Sequence, residues 1–475
     1  MASQELDAVI VGAGPNGLAA AVTLARAGRS VLVLEAADVV GGGLRSAELT
    51  LPGFVHDVCS AVHPLAAASP FFEQVPLAEH GLELVQPPVP LAHPLDDGTA
   101  VLLERSLETT ATGLLGDAEA WRRLLAPLVR DARILLAETL RPLRVPRHPV
   151  TLGLFGLRAL RSATAVADAL FTGERAKALF AGSAAHSMLP LTRSPSAAFG
   201  LVLSLLGHIV GWPLARGGSQ RIADALVSEL RAHGGQVETG RRLNSLAELP
   251  RARAVLCDLT PRELLRVAGE RFPPRYRSAL RRYRYGPGAF KLDYALAGPV
   301  PWAAPECARA GTLHLGGVLR EVVASEETAG RGLHAERPFV IAAQPSLFDP
   351  TRAPAGRHTF WAYCHVPNGS TVDMTERIEA QIERFAPGFR ERVLARVSTS
   401  PAEFERHSPN FAGGDINGGL ADLRQVVARP VARLVPYATP VPGLYVCSSA
   451  TPPGGGVHGM SGYLAAQVAL RTTLR

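Results

Sequence analysis

The chain has 475 residues, 47% of them hydrophobic and 19% charged, which is typical of a globular protein with a sizeable core. Its formal net charge of +7 includes only two lysines, Lys177 and Lys291, and no run of five or six like charges. This pattern argues against a nucleic-acid partner and favours a solvated, arginine-rich surface, with anionic lipid headgroups as the alternative.

The five cysteines are scattered and form no C-x-x-C pair, which argues against a zinc site, a disulfide framework and a redox-active dithiol. The N-terminal sequence MASQEL runs directly into the first predicted strand and has no apolar signal region. We therefore expect a reducing, cytoplasmic location.

The segment from residue 7 to residue 35 predicts a dinucleotide-binding βαβ unit. An apolar strand, Ala8–Val11, precedes a helix with small and apolar residues at helical spacing, and a second strand, Val31–Leu34, ends on Glu35. Between the first strand and the helix lies a G-x-G-x-x-G motif formed by Gly12, Gly14 and Gly17. An acid about 20 residues after the first glycine completes the pattern.

Each of these residues has a physical role in such a unit. Gly12 permits the tight turn, Gly14 lets the backbone approach a pyrophosphate, and Gly17 lets the helix and the strand pack closely. The free N–H groups at the start of the helix attract the phosphates. A carboxylate at Glu35 accepts hydrogen bonds from ribose hydroxyls and repels a 2′-phosphate, so the sequence predicts the ADP half of FAD or NAD and not NADP.

The next segments predict loops beside a ligand. Gly41, Gly42 and Gly43 permit a close approach of the backbone, and Arg45 could neutralise a diphosphate. Residues 51–70 contain His56, Asp57, Ser60 and His63, a mixture that suggests a metal site or a triad. No spacing places three ligands on one face, so we expect a loop that lines a cofactor.

The middle of the chain predicts helices that interrupt the α/β pattern, over residues 101–145 and Arg158–Phe171, and these suggest an inserted substrate domain. Pro195–Ala215 contains no charge, but glycines and a proline break its apolar run. Since a membrane span needs ~20 mostly apolar residues, we predict a buried helix lining an apolar cavity. Contact with a membrane interface and a true span are the alternatives.

The chain then returns to the sheet through a helix in Gly217–Gly235 and short strands in Gln236–Leu246 and Ala254–Asp258. Tyr285–Pro299 alternates apolar and polar residues, which predicts a half-buried strand with Lys291 and Asp293 on the polar face. Antiparallel partner strands are expected at Phe339–Ala343 and His358–His365.

The C-terminus carries a second G-x-G-x-x-G, formed by Gly454, Gly456 and Gly459. Too few residues follow for another βαβ unit, so we reject a second dinucleotide fold. A strand at Leu444–Cys447, a glycine loop and a helix N-terminus would still point free N–H groups at an electron-rich ligand atom, such as the edge of a flavin ring.

Taken together, these motifs resemble the phytoene desaturase/amine oxidase superfamily of FAD flavoproteins. The resemblance rests on Gly12–Glu35, the Gly42–Ser46 segment, the unit around Gly217–Leu246 and the terminal ATPPGGGVHGMSGYLAA. FKLDYALAGPVPW, ECARAGTLHLGG and NFAGGDINGG are similar to the phytoene-dehydrogenase-like branch in particular. The similarity covers nearly the whole chain.

The resemblance implies an α/β fold with FAD as the cofactor. A Rossmann-like FAD-binding domain would be assembled from residues 1–100, 205–275 and 425–475, and a mixed-sheet and helical substrate domain from residues 101–204 and 276–424. The implied FAD contacts are Gly12, Gly14, Pro15, Asn16 and Gly17 at the diphosphate, Glu35 and Ala36 at the ribose, Gly42, Gly43, Leu44 and Arg45 at the phosphate–flavin region, Leu243 at the adenine, and Gly456, Gly459 and Met460 at the isoalloxazine.

The resemblance also implies an oxidoreductase that moves a hydride between flavin N5 and a hydrophobic substrate of the isoprenoid or polyene kind. Lys291, Asp293, His365 and His458 are candidates to face the ring, and Lys291 and His458 are the predicted catalytic residues. Two alternatives stay open: a flavin-dependent isomerase or saturase, and an FAD-binding protein retained for partner binding without catalysis.

Overall fold

The structure is a computed structural model that describes residues 5–475. Its strands are β1 (Leu6–Val11), β2 (Val31–Leu34), β3 (Ser46–Glu48), β4 (Val55–Asp57), β5 (Leu84–Val85), β6 (Val89–Pro94), β7 (Ala100–Leu103), β8 (Leu214–Ala215), β9 (Gln236–Glu238), β10 (Ala252–Cys257), β11 (Gly288–Leu296), β12 (Ala310–Leu315), β13 (Val340–Ala343), β14 (His358–Val366), β15 (Val393–Thr399) and β16 (Leu444–Val446).

Its helices are α1 (Pro15–Arg26), α2 (Pro64–Ala67), α3 (Leu107–Gly113), α4 (Ala118–Arg130), α5 (Ala132–Thr139), α6 (Pro149–Ala159), α7 (Ala163–Leu170), α8 (Glu174–Ala185), α9 (Ser196–Ile209), α10 (Gln220–Ala232), α11 (Pro261–Ala268), α12 (Pro274–Arg281), α13 (Leu319–Gly330), α14 (Thr375–Phe385), α15 (Pro401–His407), α16 (Leu423–Val427) and α17 (Met460–Arg471).

A five-stranded parallel sheet forms the first layer, in the order β16-β10-β1-β2-β9. Ala8 and Ile10 pack with α1, α10 and α17 on one face, and Val9 and Val11 pack with α11 and α12 on the other. Because both faces are covered, the strands are continuous apolar runs. The predicted βαβ unit is confirmed, and Gly28 takes the left-handed conformation just after α1.

A seven-stranded mixed sheet forms the second layer, in the order β15-β11-β14-β13-β12-β6-β7, with β12 and β6 parallel and the other pairs antiparallel. One face packs on α14, and the other packs on α8, α9 and α13. The predicted α/β fold, with a parallel sheet, a mixed sheet and many helices, is confirmed.

Two expectations for these elements are wrong. Strand β11 is not half-buried, because all nine of its residues are buried. The alternation is right, since Phe290 and Leu292 belong to the cluster on α14, but the opposite face, with Lys291 and Asp293, is covered by the chain around Asp57. Residues 101–103 are not helical, because they extend beside β6 as β7.

The division into domains stays a prediction. Strands of the parallel sheet all come from the three segments assigned to FAD, whereas β6, inside the first of those segments, pairs in the seven-stranded sheet. Helix α9 occupies the predicted Pro195–Ala215 segment and is largely buried. Within residues 5–475 no single helix has the length and apolarity to cross a bilayer; only α6 and α7 together do, with a 95° bend between them.

Candidate functional site

Two adjoining cavities of about 300 and 270 Å³ open at the carboxyl edge of the parallel sheet. The residues that line both are Gly14, Gly42, Asp258, Ser408 and Asn410. This edge is where ligands bind in open α/β sheets. The two cavities therefore form one candidate site with two compartments, which we name the smaller and the larger cavity.

The smaller cavity brings the residues predicted for the ribose and the adenine together with Gly12 and Arg45, which were predicted for the diphosphate and the phosphate–flavin region. Gly12, Glu35, Ala36, Arg45 and Leu243 all line it. The Glu35 carboxylate accepts hydrogen bonds from the backbone N–H groups of residues 13 and 37, at 2.7 and 2.9 Å. Arg45 donates to the carbonyl oxygens of Gly42 and residue 407, at 3.1 and 2.7 Å. It therefore connects the glycine loop to the end of α15.

The first glycine motif forms a backbone cradle between the cavities. Gly12 has a φ of +100°, and a Cβ on Gly17 would lie 2.0 Å from the Gly12 carbonyl oxygen. A Cβ on Gly42 would lie 3.2 Å from the Cα of Gly14. The backbone segments can approach each other this closely only because glycine has no side chain. The same absence of side chains allows a diphosphate to contact the backbone N–H groups.

The larger cavity begins at the N-terminus of α1, where Pro15 and Asn16 line it together with Gly43. The Asn16 Oδ1 is buried and has no hydrogen-bond partner among the described residues. A buried polar atom without a partner is rare in a folded protein. This unpaired acceptor, the glycine cradle and the helix N-terminus at the cavity fit the phosphates and the polar groups of the flavin ring of FAD.

Asp258 follows β10 and lines both cavities, and no motif in the sequence marks it as a site residue. Its Oδ2 accepts a hydrogen bond from the Gly17 N–H at 2.9 Å. Burial raises the pKa of Asp258 to about 7, and the nearby charge of Glu35 adds to this effect. The position could have been found from the predicted strand Ala254–Asp258, because the residue after a parallel strand lies at the ligand-binding edge.

Replacing Asp258 with asparagine should change how stability depends on pH. The folded-state pKa lies above the unfolded value of about 4, so protonation stabilises the wild type at low pH, and this contribution is lost as the pH rises through about 7. The asparagine variant keeps the acceptor for Gly17. We expect the free energy of unfolding of the variant, relative to that of the wild type, to rise by about 1–3 kcal/mol between pH 5 and pH 8.

Urea unfolding at the two pH values measures this difference. Asp168→Asn, on an exposed carboxylate in α7, is the matched control and should leave the pH profile unchanged. An Asp258→Asn profile parallel to that of the wild type would contradict the account.

The terminal glycine loop forms the opposite wall of the larger cavity. Gly455, Gly456 and Val457 line it, whereas Gly459 and Met460 are buried behind them at the start of α17. Gly459 precedes α17 with a φ of +67°. The structure thus brings Gly456 to the predicted flavin end and places Gly459, Met460 and the buried Leu44 one layer further back.

His458 holds this loop together. Its Nδ1 accepts a hydrogen bond from the Met460 N–H at 3.0 Å, and its Nε2 lies 3.1 Å from the Gly454 carbonyl oxygen, which fixes a neutral ring with the proton on Nε2. Burial lowers the pKa of His458 to about 4. Both nitrogens serve the backbone and the ring does not line either cavity, so its predicted catalytic role stays a prediction.

Lys291 and Asp293 form a buried ion pair on β11. Lys291 also donates to the Asp57 carbonyl oxygen at 2.9 Å. Neither lines a cavity, but their neighbours in register on β14, Tyr363 and Trp361, both do. His365 lines neither cavity, and its Nδ1 lies 2.7 Å from the buried carboxylate of Glu326.

The segment 51–70 is divided between the cavity and a buried ion cluster. Ser60 and His63 line the larger cavity, as expected for a cofactor-lining loop. Asp57 instead pairs with the fully buried Arg352 at 2.8 Å, and Arg352 also pairs with Asp349 at 3.1 Å. The Asp57 carboxylate is therefore saturated by protein groups.

The apolar end of the larger cavity is lined by the mixed sheet and the helices that pack on it. The sheet contributes alternate residues of three neighbouring strands. The residue after α8, helix α9 and the loop after α9 contribute further side chains. The sheet residues are Thr312, Ile341, Trp361 and Tyr363, and the helical and loop residues are His186, Phe199, Leu203 and Trp212. The predicted buried helix lining an apolar cavity is thus confirmed in α9.

Comparison with known proteins agrees with this geometry. The family model for flavin containing amine oxidoreductases matches residues 16–267. The pyridine nucleotide-disulfide oxidoreductase domain-containing protein 2 of Rattus norvegicus is 28% identical over 98% of this chain and 94% of its own, and the phytoene dehydrogenase of Streptomyces griseus is 26% identical over 82% and 78%. An oxidoreductase from Methanosarcina mazei shares the fold, with a TM-score of 0.67, 17% identity, and coverage of 98% and 100%.

The matched residues include Gly17, Glu35 and the return to the parallel sheet, and they begin just after Gly12 and Gly14 of the glycine motif. The cofactor of the protein is FAD. The chain belongs to the family of flavin containing amine oxidoreductases.

Proposed function

We propose that the protein is a dehydrogenase or desaturase that moves a hydride between FAD and a hydrophobic substrate of the isoprenoid or polyene kind. The observation that supports this proposal is the wall of the larger cavity beyond the glycine loops. Phe199, Leu203, Trp212 and Ile341 line it there, and apolar lining with few polar groups is typical of sites for apolar ligands.

The titratable groups of this cavity support a neutral substrate. Burial raises the pKa of Cys59 to about 12 and also raises the pKa of Tyr363 above its ordinary value. Burial lowers the pKa of His63 to about 4 and that of His186 to about 3. All four are neutral near pH 7. Asp258 is the sole carboxylate lining the larger cavity within residues 5–475, so a protonated amine would find no counter-charge at the apolar end.

The chain's own residues would bind and orient both ligands. FAD supplies the hydride-accepting N5 position. The N-terminus of α1 would present backbone N–H groups to the cofactor. Trp212 and Trp361 would exclude water from the apolar end of the larger cavity. These residues would orient a C–H bond of the substrate towards the flavin, and they would do so without placing a charged side chain at the apolar end of the cavity.

Anaerobic mixing of the holoenzyme with fractionated lipid extracts tests this function. A desaturase should bleach its flavin absorbance with no added acceptor, and the bleaching fraction identifies the substrate. Turnover only after chemical reduction of the enzyme would favour the isomerase or saturase. A holoenzyme that no apolar fraction reduces or binds would favour the non-catalytic FAD-binding protein.

Lys291 is the side chain that we expect to affect the rate of the reaction, since it lies on the sheet face that carries Tyr363. We expect Lys291→Met to slow turnover and flavin reoxidation about tenfold or more. The same change leaves Asp293 buried without its partner, which should cost about 3–5 kcal/mol of folding free energy.

A second variant separates the two effects. Lys291→Met combined with Asp293→Asn removes both charges and should regain most of the lost stability. Stopped-flow reoxidation and steady-state turnover are then measured on the double variant. Wild-type rates in a stable double variant would show that Lys291 has no role in the reaction.

We also propose that the protein contacts anionic membrane surfaces through an exposed apolar patch, which we name the α6 surface. Its large apolar side chains are 60–89% exposed and are Leu143, Val145, Val150, Leu154, Leu157 and Leu160. Arginines at positions 141, 144, 147, 158 and 161 lie between and beside them in the sequence. Exposed apolar side chains rimmed by arginine favour an anionic lipid interface, and α6 packs on α9, which lines the larger cavity.

Vesicle flotation tests this contact. The wild type should float with phosphatidylglycerol-containing vesicles and much less with pure phosphatidylcholine. Leu154→Asp combined with Leu157→Asp should weaken binding at least about tenfold, because two leucine side chains that would be buried in the lipid are replaced by charged ones. Leu333→Asp, at an exposed position elsewhere, is the control. Equal binding by all three proteins would exclude the α6 surface.

A further inference from the structure

The larger cavity contains polar groups that neither the family fold nor the proposed function uses. On the wall formed by the mixed sheet, Thr312 at Oγ1 and Trp361 at Nε1 have a buried polar atom without a partner within the described chain. His186 lines the same cavity, and its Nε2 is taken by the Nε2 of His314, which leaves its Nδ1 for another group. Thr312 and Trp361 are 2% and 6% exposed. Leaving buried polar atoms unpaired costs about 1–3 kcal/mol each, so their common position on one cavity wall points to a ligand.

The tautomer of His186 decides what it offers. Its Nε2 lies 2.8 Å from the Nε2 of His314, so one ring donates and the other accepts. His314 is fully buried and its Nδ1 has no partner in residues 5–475. A buried N–H without an acceptor is rarer than a bare acceptor. His314 therefore carries its proton on Nε2 and donates, and His186 accepts at Nε2 and carries its proton on Nδ1.

All three groups can then donate a hydrogen bond. The indole Nε1–H of Trp361 is a donor only, the hydroxyl of Thr312 can donate, and the Nδ1–H of neutral His186 donates. No cationic side chain lines this wall within the described residues. Uncharged donors in an apolar cavity complement a neutral oxygen better than a carboxylate, whose desolvation they would not offset.

We propose that Thr312, Trp361 and His186 form a binding site for a carbonyl or hydroxyl oxygen on the substrate. The substrate is then an apolar molecule with an oxygen function, and a pure hydrocarbon is a poorer ligand. This inference rests on the proposed function, because it specifies the substrate class of the same cavity. His314 acts as a positioning residue, since it fixes the tautomer of His186 without lining the cavity.

Direct binding of farnesol and farnesene to the purified holoenzyme tests the proposal. These two probes differ in a hydroxyl group on similar apolar chains, and calorimetry reports their affinities without turnover. We expect farnesol to bind about tenfold more tightly than farnesene, as one or two net hydrogen bonds would give. Thr312→Val and His186→Phe should each reduce the farnesol preference and leave farnesene binding nearly unchanged.

Thr359→Val is the matched control. Thr359 is likewise a buried threonine whose Oγ1 has no partner, but it does not line the cavity. Its loss should leave both affinities unchanged. Equal affinities of the wild type for the two probes would overturn the oxygen site while leaving the apolar substrate intact. Binding of neither probe would contradict the apolar substrate as well.

Nitrogen-15 NMR of the histidine side chains provides a readout that needs no ligand. Assignment by His186→Phe and His314→Phe allows the two rings to be distinguished. We expect a protonated Nδ1 and a bare Nε2 in His186, with the reverse in His314. The opposite pair of tautomers would remove the third donor and overturn the assignment of His186.

Discussion

Gly17→Ala should abolish retention of FAD and lower the free energy of unfolding by at least about 3 kcal/mol. The new Cβ would lie 2.0 Å from the Gly12 carbonyl oxygen and 3.0 Å from its carbonyl carbon. Both contacts are with backbone at a strand end, which cannot move without opening the turn between β1 and α1. The same turn forms the diphosphate cradle, so the fold and the cofactor site are lost together.

Flavin absorbance of the purified variant and its urea unfolding curve measure the two effects. Gly153→Ala is the control, because no atom lies within 4 Å of its Cβ position in α6. It should keep FAD and gain a few tenths of a kcal/mol to about 1 kcal/mol from helix propensity. A Gly17→Ala protein that retains FAD at wild-type affinity would contradict the close packing.

Arg352→Met should destabilise the protein by about 3–5 kcal/mol. Arg352 is 0% exposed and neutralises both Asp57 and Asp349, which are also buried. Burial alone would raise the pKa of Asp57, but Arg352 holds it below its ordinary value. This carboxylate therefore stabilises the fold above the unfolded pKa, and its contribution is lost as the pH falls through the lower folded value.

Chemical unfolding at neutral pH measures the loss. Arg357→Met, a few residues away on the surface, should change the free energy of unfolding by no more than about 0.5 kcal/mol. A stability of Arg352→Met equal to that of the Arg357 variant would mean that the buried carboxylates do not need the guanidinium.

The parts of the site that could be predicted are those whose physics is local in sequence. The strand, glycines, helix and acid of residues 7–35 interact within one βαβ unit, so their spacing alone predicts their contacts. Helix α9 was predicted as buried because its apolar run is too short and too interrupted for a bilayer. Gly459 was predicted near a helix N-terminus because a strand and an apolar helix flank it.

The parts that could not be predicted depend on residues brought together from distant segments. A Cβ on Gly462 would lie 1.8 Å from the Asn16 carbonyl oxygen, so α17 packs directly on α1, but no local pattern marks Gly462. Arg352 meets Asp57 across 295 residues. Strand β11 alternates as a half-buried strand would, but the chain around Asp57, which is distant in sequence, covers the face that carries Lys291.

The apolar end of the larger cavity follows the same rule. His186 follows the last residue of α8, and Thr312 and Trp361 lie on β12 and β14; each is unremarkable in its own segment. Their shared cavity wall appears only when the seven-stranded sheet is assembled. Predicting the substrate class from sequence therefore required a resemblance, whereas the cofactor could be predicted from one continuous unit.

The flavin content of the purified protein tests the central claim most directly. Cofactor released by denaturation is identified and quantified against protein concentration, before and after incubation with added FAD. The account predicts the visible absorbance of a bound flavin and about one FAD per chain, with Gly17→Ala unable to retain it. A colourless wild-type protein that takes up no FAD would contradict it.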